Sequence, residues 1–176
     1  LLGYAVGKWG MHSAENTGEA RVRQVLTTSF KAPEYQLLNN ITLPYEDGTT
    51  QIDHILVSTK GVFVIETKHF SGWIFAGEKS QYWTQVIYNF RNKTPNPLHQ
   101  NYRHVKAVRG LLDFLPREQI HSLVVFTGEA AFKTAVPKGV VYLHKLTEYL
   151  RRFDEDVITL NRLQFIVGRL ECTRYE

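Results

Sequence analysis

The stretch Gln51-Ile-Asp-His-Ile-Leu-Val-Ser-Thr-Lys-Gly-Val-Phe-Val-Ile-Glu-Thr-Lys68 limits what this chain can become more than any other part of it. Two runs rich in Val and Ile meet at Ser58 to Gly61, the pattern of two strands joined by a tight turn. If Thr59 and Lys60 form a two-residue loop, Val57 faces Val62, Ile55 faces Val64 and Asp53 faces Glu66. Directly opposed residues have Cβ atoms about 4.5–5.5 Å apart, and Lys68, two positions past Glu66, projects from the same face. Two acids and an amine then converge. A three-residue loop with Gly61 in a bulge would slip the pairing by one and separate the acids.

Like charges opposed across strands are destabilising, and burying them unpaired costs more still. A divalent cation resolves that conflict, because Mg²⁺-type ions take carboxylate oxygens and complete their shell with water and phosphate oxygens. Lys68 adds a cation able to orient a water or offset charge on a phosphate. The combination suits metal-assisted phosphodiester hydrolysis. The competing reading needs no ligand: Asp53 ends a strand in solvent, and Glu66 and Lys68 form an ordinary surface ion pair. Spacing alone leaves both open.

The rest of the chain sets the context. At 176 residues, 43% of them hydrophobic, it fits one domain that buries roughly two-thirds of its unfolded surface without a disulfide or zinc staple. The single cysteine, Cys172, excludes an internal disulfide, a zinc ribbon and a CxxC redox pair, which makes a reducing, cytoplasmic setting the expectation. A net charge of +4 leans mildly toward an anionic partner. No window reaches the ~18 apolar residues of a spanning helix, so a soluble domain over 14–176 is expected. Residues 1–13 read as a separate N-terminal segment; Leu1, Leu2, Tyr4, Val6 and Trp9 fit the last turns of a longer apolar anchor that would tether the domain to a membrane.

Periodicity predicts a helix over Ala14 to Phe30, strands at Tyr35 to Leu43, Gln51 to Ser58, Val62 to Phe70, Gly72 to Phe75 and Tyr82 to Val86, then a long helix from Asn96 to Leu115. Leu98, Tyr102, Val105, Val108, Leu112 and Leu115 form its apolar stripe, and Asn96-Pro97 supplies its cap and first-turn proline. Strands at His121 to Phe126 and Val140 to Leu143 and helices at Lys145 to Phe153 and Val157 to Leu170 complete a mixed α/β order.

Asp53 followed by Glu66-Thr67-Lys68 on the next strand resembles the D…(D/E)xK signature of the PD-(D/E)XK nuclease superfamily, with Ile52 in place of the eponymous proline. More specifically, the chain resembles the nuclease-related domain (NERD) family. The resemblance is carried by Gly18-Glu19, Gln51-Ile52-Asp53-His54, Gly61 to Lys68, Gly72-Trp73-Ile74 with Trp83, and Asn96-Pro97-Leu98-His99-Gln100, in that order. It implies a restriction-endonuclease-like core, a central mixed β-sheet flanked by helices, a DNA-processing activity and a Mg²⁺ or Mn²⁺ cofactor. By the same resemblance, Asp53 and Glu66 would be metal carboxylates, the Thr67 carbonyl a further ligand, and Lys68 the residue that positions the attacking water. Glu19 would be a helix-one acid approaching the metal, although it also suits an i,i+4 pair with Arg23. Gln100 would reach a phosphate or the lysine.

His99, Arg103 and Lys106 form a basic stripe beside Gln100 that could follow a nucleic-acid backbone. His54 and His69 alternate to the opposite sheet face, which suits packing. Trp73, Tyr82 and Trp83 could stack on unpaired bases, though such aromatics are usually core. No GxGxxG, P-loop or GxSxG motif is present. The expectation is a metal-dependent nuclease acting on DNA. The alternative is a noncatalytic nucleic-acid-binding or signalling-associated module that keeps the fold. A two-carboxylate glycosidase is disfavoured by Lys68 and the absence of an evident sugar cleft.

Overall fold

The computed structural model describes residues 16–175. The proposed anchor segment at 1–13 lies outside them, as do Ala14 and Glu15 of the expected first helix. No helix among the described residues is long and apolar enough to cross a membrane.

The first helix, α1 (Thr17–Ser29), is started by Asn16, whose side chain accepts the Glu19 N–H. A long hairpin follows, β1 (Tyr35–Tyr45) and β2 (Gly48–Ser58), and then β3 (Gly61–Lys68). Thr59 and Lys60 do form a two-residue loop: Ser58 pairs with Gly61, Val57 with Val62 and Ile55 with Val64. The loop is pinned from several sides. Ser58 Oγ donates to Gly61 O at 2.8 Å, and Val157 and Ile158 both donate N–H to Thr59 O at 2.9 Å. Gly61 holds φ +136°, and a Cβ there would meet His121 Nε2 at 2.9 Å, so glycine is required.

Strands β4 (Gly72–Phe75), β5 (Tyr82–Ile87) and β6 (Phe90–Pro95) lead to the long helix α2 (Pro97–Leu111). Strands β7 (Ile120–Phe126), β8 (Ala130–Phe132) and β9 (Val140–Tyr142) then precede the short α3 (Leu146–Leu150) and the closing α4 (Leu160–Thr173). The main sheet has the order β1-β2-β3-β7-β9, antiparallel through β3 and parallel from β3 to β9. One face packs on α2 and α4 through Val62, Val64, Val105, Val108, Leu163 and Ile166. The other packs on α1 and α3 through Val22, Leu26, Phe63, Ile65, Leu146 and Leu150. This is a mixed sheet flanked by helices, a restriction-endonuclease-like α/β core.

The structure departs from the sequence expectations in several places; α2 stops at Leu111 rather than Leu115, and α3 covers only Leu146–Leu150 of the helix expected over Lys145 to Phe153. A second sheet, β6-β5-β4-β8, stands beside the first, and two of its strands, β6 and β8, were not anticipated. Helix α2 is rotated relative to the expected stripe: Tyr102 is half-exposed, while Asn101 and His104 are buried. Asn101 earns that position by donating to Val64 O at 2.9 Å and Ser122 Oγ at 2.8 Å, which bolts the helix to the sheet. Helix α4 starts at Leu160 rather than Val157, because Thr159 caps it and Val157 and Ile158 are spent on the Thr59 carbonyl. Of the three aromatics expected as core, Trp83 is buried, but Trp73 and Tyr82 are not.

Candidate active site

The site forms where the β2–β3 ladder stops. Main-chain pairing ends at His54 and Ile65, and beyond it Asp53 Oδ2 accepts the Thr67 N–H at 2.7 Å. A side chain thus replaces the next rung. Val62, Val64, Glu66 and Lys68 alternate onto the α2 side of β3, and Asp53 shares that side as the position opposite Glu66.

Helix α2 supplies the other wall. Lys68 Nζ donates to Glu66 Oε1 at 2.7 Å and to Gln100 Oε1 at 2.9 Å. Gln100 Nε2 donates to the same Glu66 oxygen at 2.8 Å, closing a three-membered ring of hydrogen bonds. His104, one turn further along α2, places Nε2 3.1 Å from Glu66 Oε2 and Nδ1 2.7 Å from Thr50 Oγ1. Both oxygens of Glu66 are therefore held.

These surroundings pull the two acids apart in basicity. At Asp53 burial is the largest influence, the adjacent Glu66 charge is next, and Glu19 adds to them; the Thr67 N–H and Lys68 oppose, and the carboxyl is pushed up to about 7. Burial also raises Glu66, but the His104 hydrogen bond and the Lys68 ammonium outweigh it and hold this carboxyl below its ordinary value. Glu66 is the fixed anion; Asp53 is the acid whose ionised form its surroundings disfavour.

That imbalance is what a cation would relieve. The donors are hard carboxylate oxygens beside a strand backbone, of the kind that could hold a divalent ion of the Mg²⁺ type. No group of three or more His, Cys, Asp or Glu gathers as a metal cage among the described residues. Water, main-chain or substrate oxygens would have to complete the shell.

The remaining expected residues divide. Glu19 lies close enough for its charge to raise Asp53, but its carboxylate takes the Asn16 side-chain amide and its N–H is capped by Asn16 at 3.0 Å. It sits in the first turn of α1, paired with its own N-cap residue, at the edge of the site. His99 and Arg103 line a cleft of about 660 Å³ together with Gln100, His104, Tyr82 and Pro95. Lys106 does not: it lines a separate hollow with Tyr102 and Arg109, its ammonium 5.4 Å from the Tyr102 ring centre. His54 is buried on the far face with Nδ1 2.7 Å from Asn39 Oδ1, and His69 Nδ1 lies 2.9 Å from Thr127 Oγ1. Asn96 both caps α2 and donates to Ser80 O at 2.8 Å and Glu78 O at 3.1 Å, fastening the second sheet to the helix that forms the site.

His104 is the residue sequence reading missed. Its signal was the i,i+4 spacing from Gln100, which stacks both on one helix face, but hydropathy scores a histidine beside the apolar stripe as surface.

A mixed sheet carrying two carboxylates and a lysine on adjacent strands, where their pairing stops, defines the class of restriction-endonuclease-like folds with a PD-(D/E)XK motif. Residues 14–127 match the family described as the nuclease-related domain. The chain is also 35% identical over 156 residues to an uncharacterized protein of Bacillus anthracis, covering 85% of this chain and 71% of that one. This chain belongs to the nuclease-related domain family.

Proposed function

We propose that this domain is a metal-dependent phosphodiesterase acting on DNA, with Asp53 and Glu66 holding a Mg²⁺ or Mn²⁺ ion and Lys68 positioning the attacking water. The observation that carries the reading is the convergence of Asp53, Glu66 and Lys68 on one side of two adjacent strands, with Asp53 raised to about 7 by burial and its acidic neighbour. A fold alone does not call for such a costly arrangement.

A bound divalent ion would supply polarisation of a phosphoryl oxygen and charge neutralisation at the phosphorus. This chain's residues do the rest. Glu66 is held rigid by His104, Gln100 and Lys68, so little reorganisation is needed to present an oxygen. Lys68, held by Gln100 at 2.9 Å, would turn its ammonium toward the attacking water and the charge developing on a phosphate. His99 and Arg103, on the cleft wall, would receive flanking phosphates. The Thr67 carbonyl and Glu19 are offered as secondary ligands, Glu19 after giving up its Asn16 partner.

Plasmid nicking tests the reading. Purified protein should nick plasmid with Mg²⁺ or Mn²⁺ and not in chelator, and Asp53→Ala should abolish the activity with the fold intact. Equal nicking by parent and variant refutes the assignment. Nucleic-acid binding with no metal-dependent cleavage in the parent establishes the noncatalytic module instead.

A further inference from the structure

The outer face of the second sheet is built in rungs. Its ladders place Trp73 beside Val86 and Arg91, Phe75 beside Thr84 and Lys93, and Tyr82 beside Pro95. Cross-strand partners project to the same side, so these residues share one surface, with successive rungs about 7 Å apart. The opposite side is the packed one, where Ile74 and Trp83 are fully buried against Phe126.

Among the described residues, nothing covers the outer side. Trp73 is 52% exposed, Phe75 41% and Tyr82 50%. Exposing one such ring is ordinary; aligning three on adjacent strands leaves apolar surface that normally marks a contact site. The charge around them has one sign along the rungs, Arg91 and Lys93, and Lys133 lays its ammonium 4.7 Å from the centre of the Trp73 ring. Glu129 borders the surface only at its Trp73 end, in the hollow with Ser71 and Tyr88. At the other end the surface runs into the cleft next to the candidate active site: Tyr82 and Pro95 line that cleft with Arg103 and with Gln100, which hydrogen-bonds Glu66 and Lys68.

We infer that this face is a stacking platform for an unpaired nucleic-acid strand, which it feeds into the cleft beside Glu66 and Lys68. Exposed rings on a sheet take bases in any sequence, and the interleaved cations follow the phosphates. A paired duplex hides its base faces and gains nothing from the three rings. An apolar patch alone would equally suit a lipid surface; the cations between the rings and the continuity with the cleft favour a polyanion whose end must reach the site. The inference rests on the nuclease reading and deepens it by naming the substrate as single-stranded.

The test is anisotropy of fluorescein-labelled oligothymidylate and of a duplex of equal length, both in chelator so that nothing is cut. Oligothymidylate should bind the tighter. Trp73→Ala and Phe75→Ala should each weaken its binding about five- to hundredfold, the range of one lost base stack, without changing the salt slope. Arg91→Gln and Lys93→Gln, which leave the apolar surface in place, should each lower the slope of log affinity against log salt by about 0.7. Trp73→Phe, which keeps a ring, should stay near the parent.

Aromatic variants that remain folded and bind oligothymidylate like the parent overturn the platform, as does preference for the duplex. So does ring-dependent capture of phosphatidylglycerol vesicles without oligonucleotide binding. The two readings fail separately: ring-dependent oligothymidylate binding by a parent that cleaves nothing with any metal keeps the platform and removes the nuclease. Cleavage unaffected by loss of the rings keeps the nuclease and removes the platform.

Discussion

His104 fixes Glu66 from the helix side: its Nε2 lies 3.1 Å from Glu66 Oε2 while Thr50 Oγ1 holds Nδ1 at 2.7 Å. The ring cannot turn without breaking one of the two bonds, so the carboxylate inherits its orientation from α2 and from the start of β2. His104 touches no substrate in the proposed reaction and acts as a positioning residue. His104→Ala should leave a buried carboxylate short of a partner, which costs about 1–3 kcal/mol of stability. It should also weaken metal affinity or activity by about 10–100-fold, the usual cost of losing a ligand's orienting partner. Thermal melts and calorimetric Mn²⁺ titration check the two effects, and a variant equal to the parent in both removes His104 from the site.

Asp53 sets a pH dependence of stability whose sign follows from its raised pKa. The folded protein holds the Asp53 proton up to about 7, while the unfolded chain releases it near the ordinary aspartate value of 3.8. Between those values the folded state binds more protons, so without metal this group makes stability fall as pH rises, by a few kcal/mol at most. Asp53→Asn keeps an oxygen for the Thr67 N–H and removes the charge. The difference between parent and Asn variant, from denaturant midpoints in chelator, should therefore widen from pH 4.5 to 7.5 in favour of the variant. Mn²⁺ should close it by stabilising the ionised parent. A gap that stays constant with pH contradicts the assignment.

Lys68 separates catalysis from binding. In the proposed reaction its ammonium acts on charge that grows in the transition state, whereas the acids hold the metal in the ground state too. Lys68→Ala should spare metal affinity and lower single-turnover cleavage by at least ~10²-fold, with nucleic-acid affinity changed by no more than one phosphate contact. In a binding-only module the same substitution would flatten the salt dependence by about one ion and have no hydrolysis to lose. An unchanged cleavage rate takes the lysine out of the mechanism.

What could be read from the sequence follows how each element is specified. The β2–β3 register was legible because Val and Ile alternate on both sides of a short polar turn, and a slip by one would have buried the wrong set. That register alone brings Asp53, Glu66 and Lys68 together. The rotation of α2 was hidden, because Asn101 and His104 are buried through hydrogen bonds and hydropathy scores them as surface. Strand β6, Phe-Arg-Asn-Lys-Thr-Pro, has no apolar alternation; it is an exposed edge held by its pairing with β5. The same blindness concealed the platform, whose rings were visible in sequence but whose common exposure depends on how β4, β5 and β6 align.

Gly18 brings helix α1 against the end of the site, and its size is what permits this. A Cβ at Gly18 would lie 2.6 Å from Thr127 Oγ1 and 2.9 Å from His69 Cβ, two residues already joined through their own 2.9 Å hydrogen bond. Two effects of Gly18→Ala compete. Replacing glycine by alanine in a helix gains up to ~1 kcal/mol, less in the first turn, whereas overpacking a fixed contact costs ~1–3 kcal/mol. The clash should win, because Thr127 and His69 brace each other and neither is the free end of a long side chain. Gly18→Ala should lower the melting temperature and shift Glu19 away from Asp53. Thr127→Ala removes the nearest obstructing atom, so the double variant should be less destabilised than the sum of the singles. Melts of all four proteins in a double-mutant cycle measure this coupling; strict additivity, or an alanine at 18 that stabilises, would show that α1 is not held at the site by this contact.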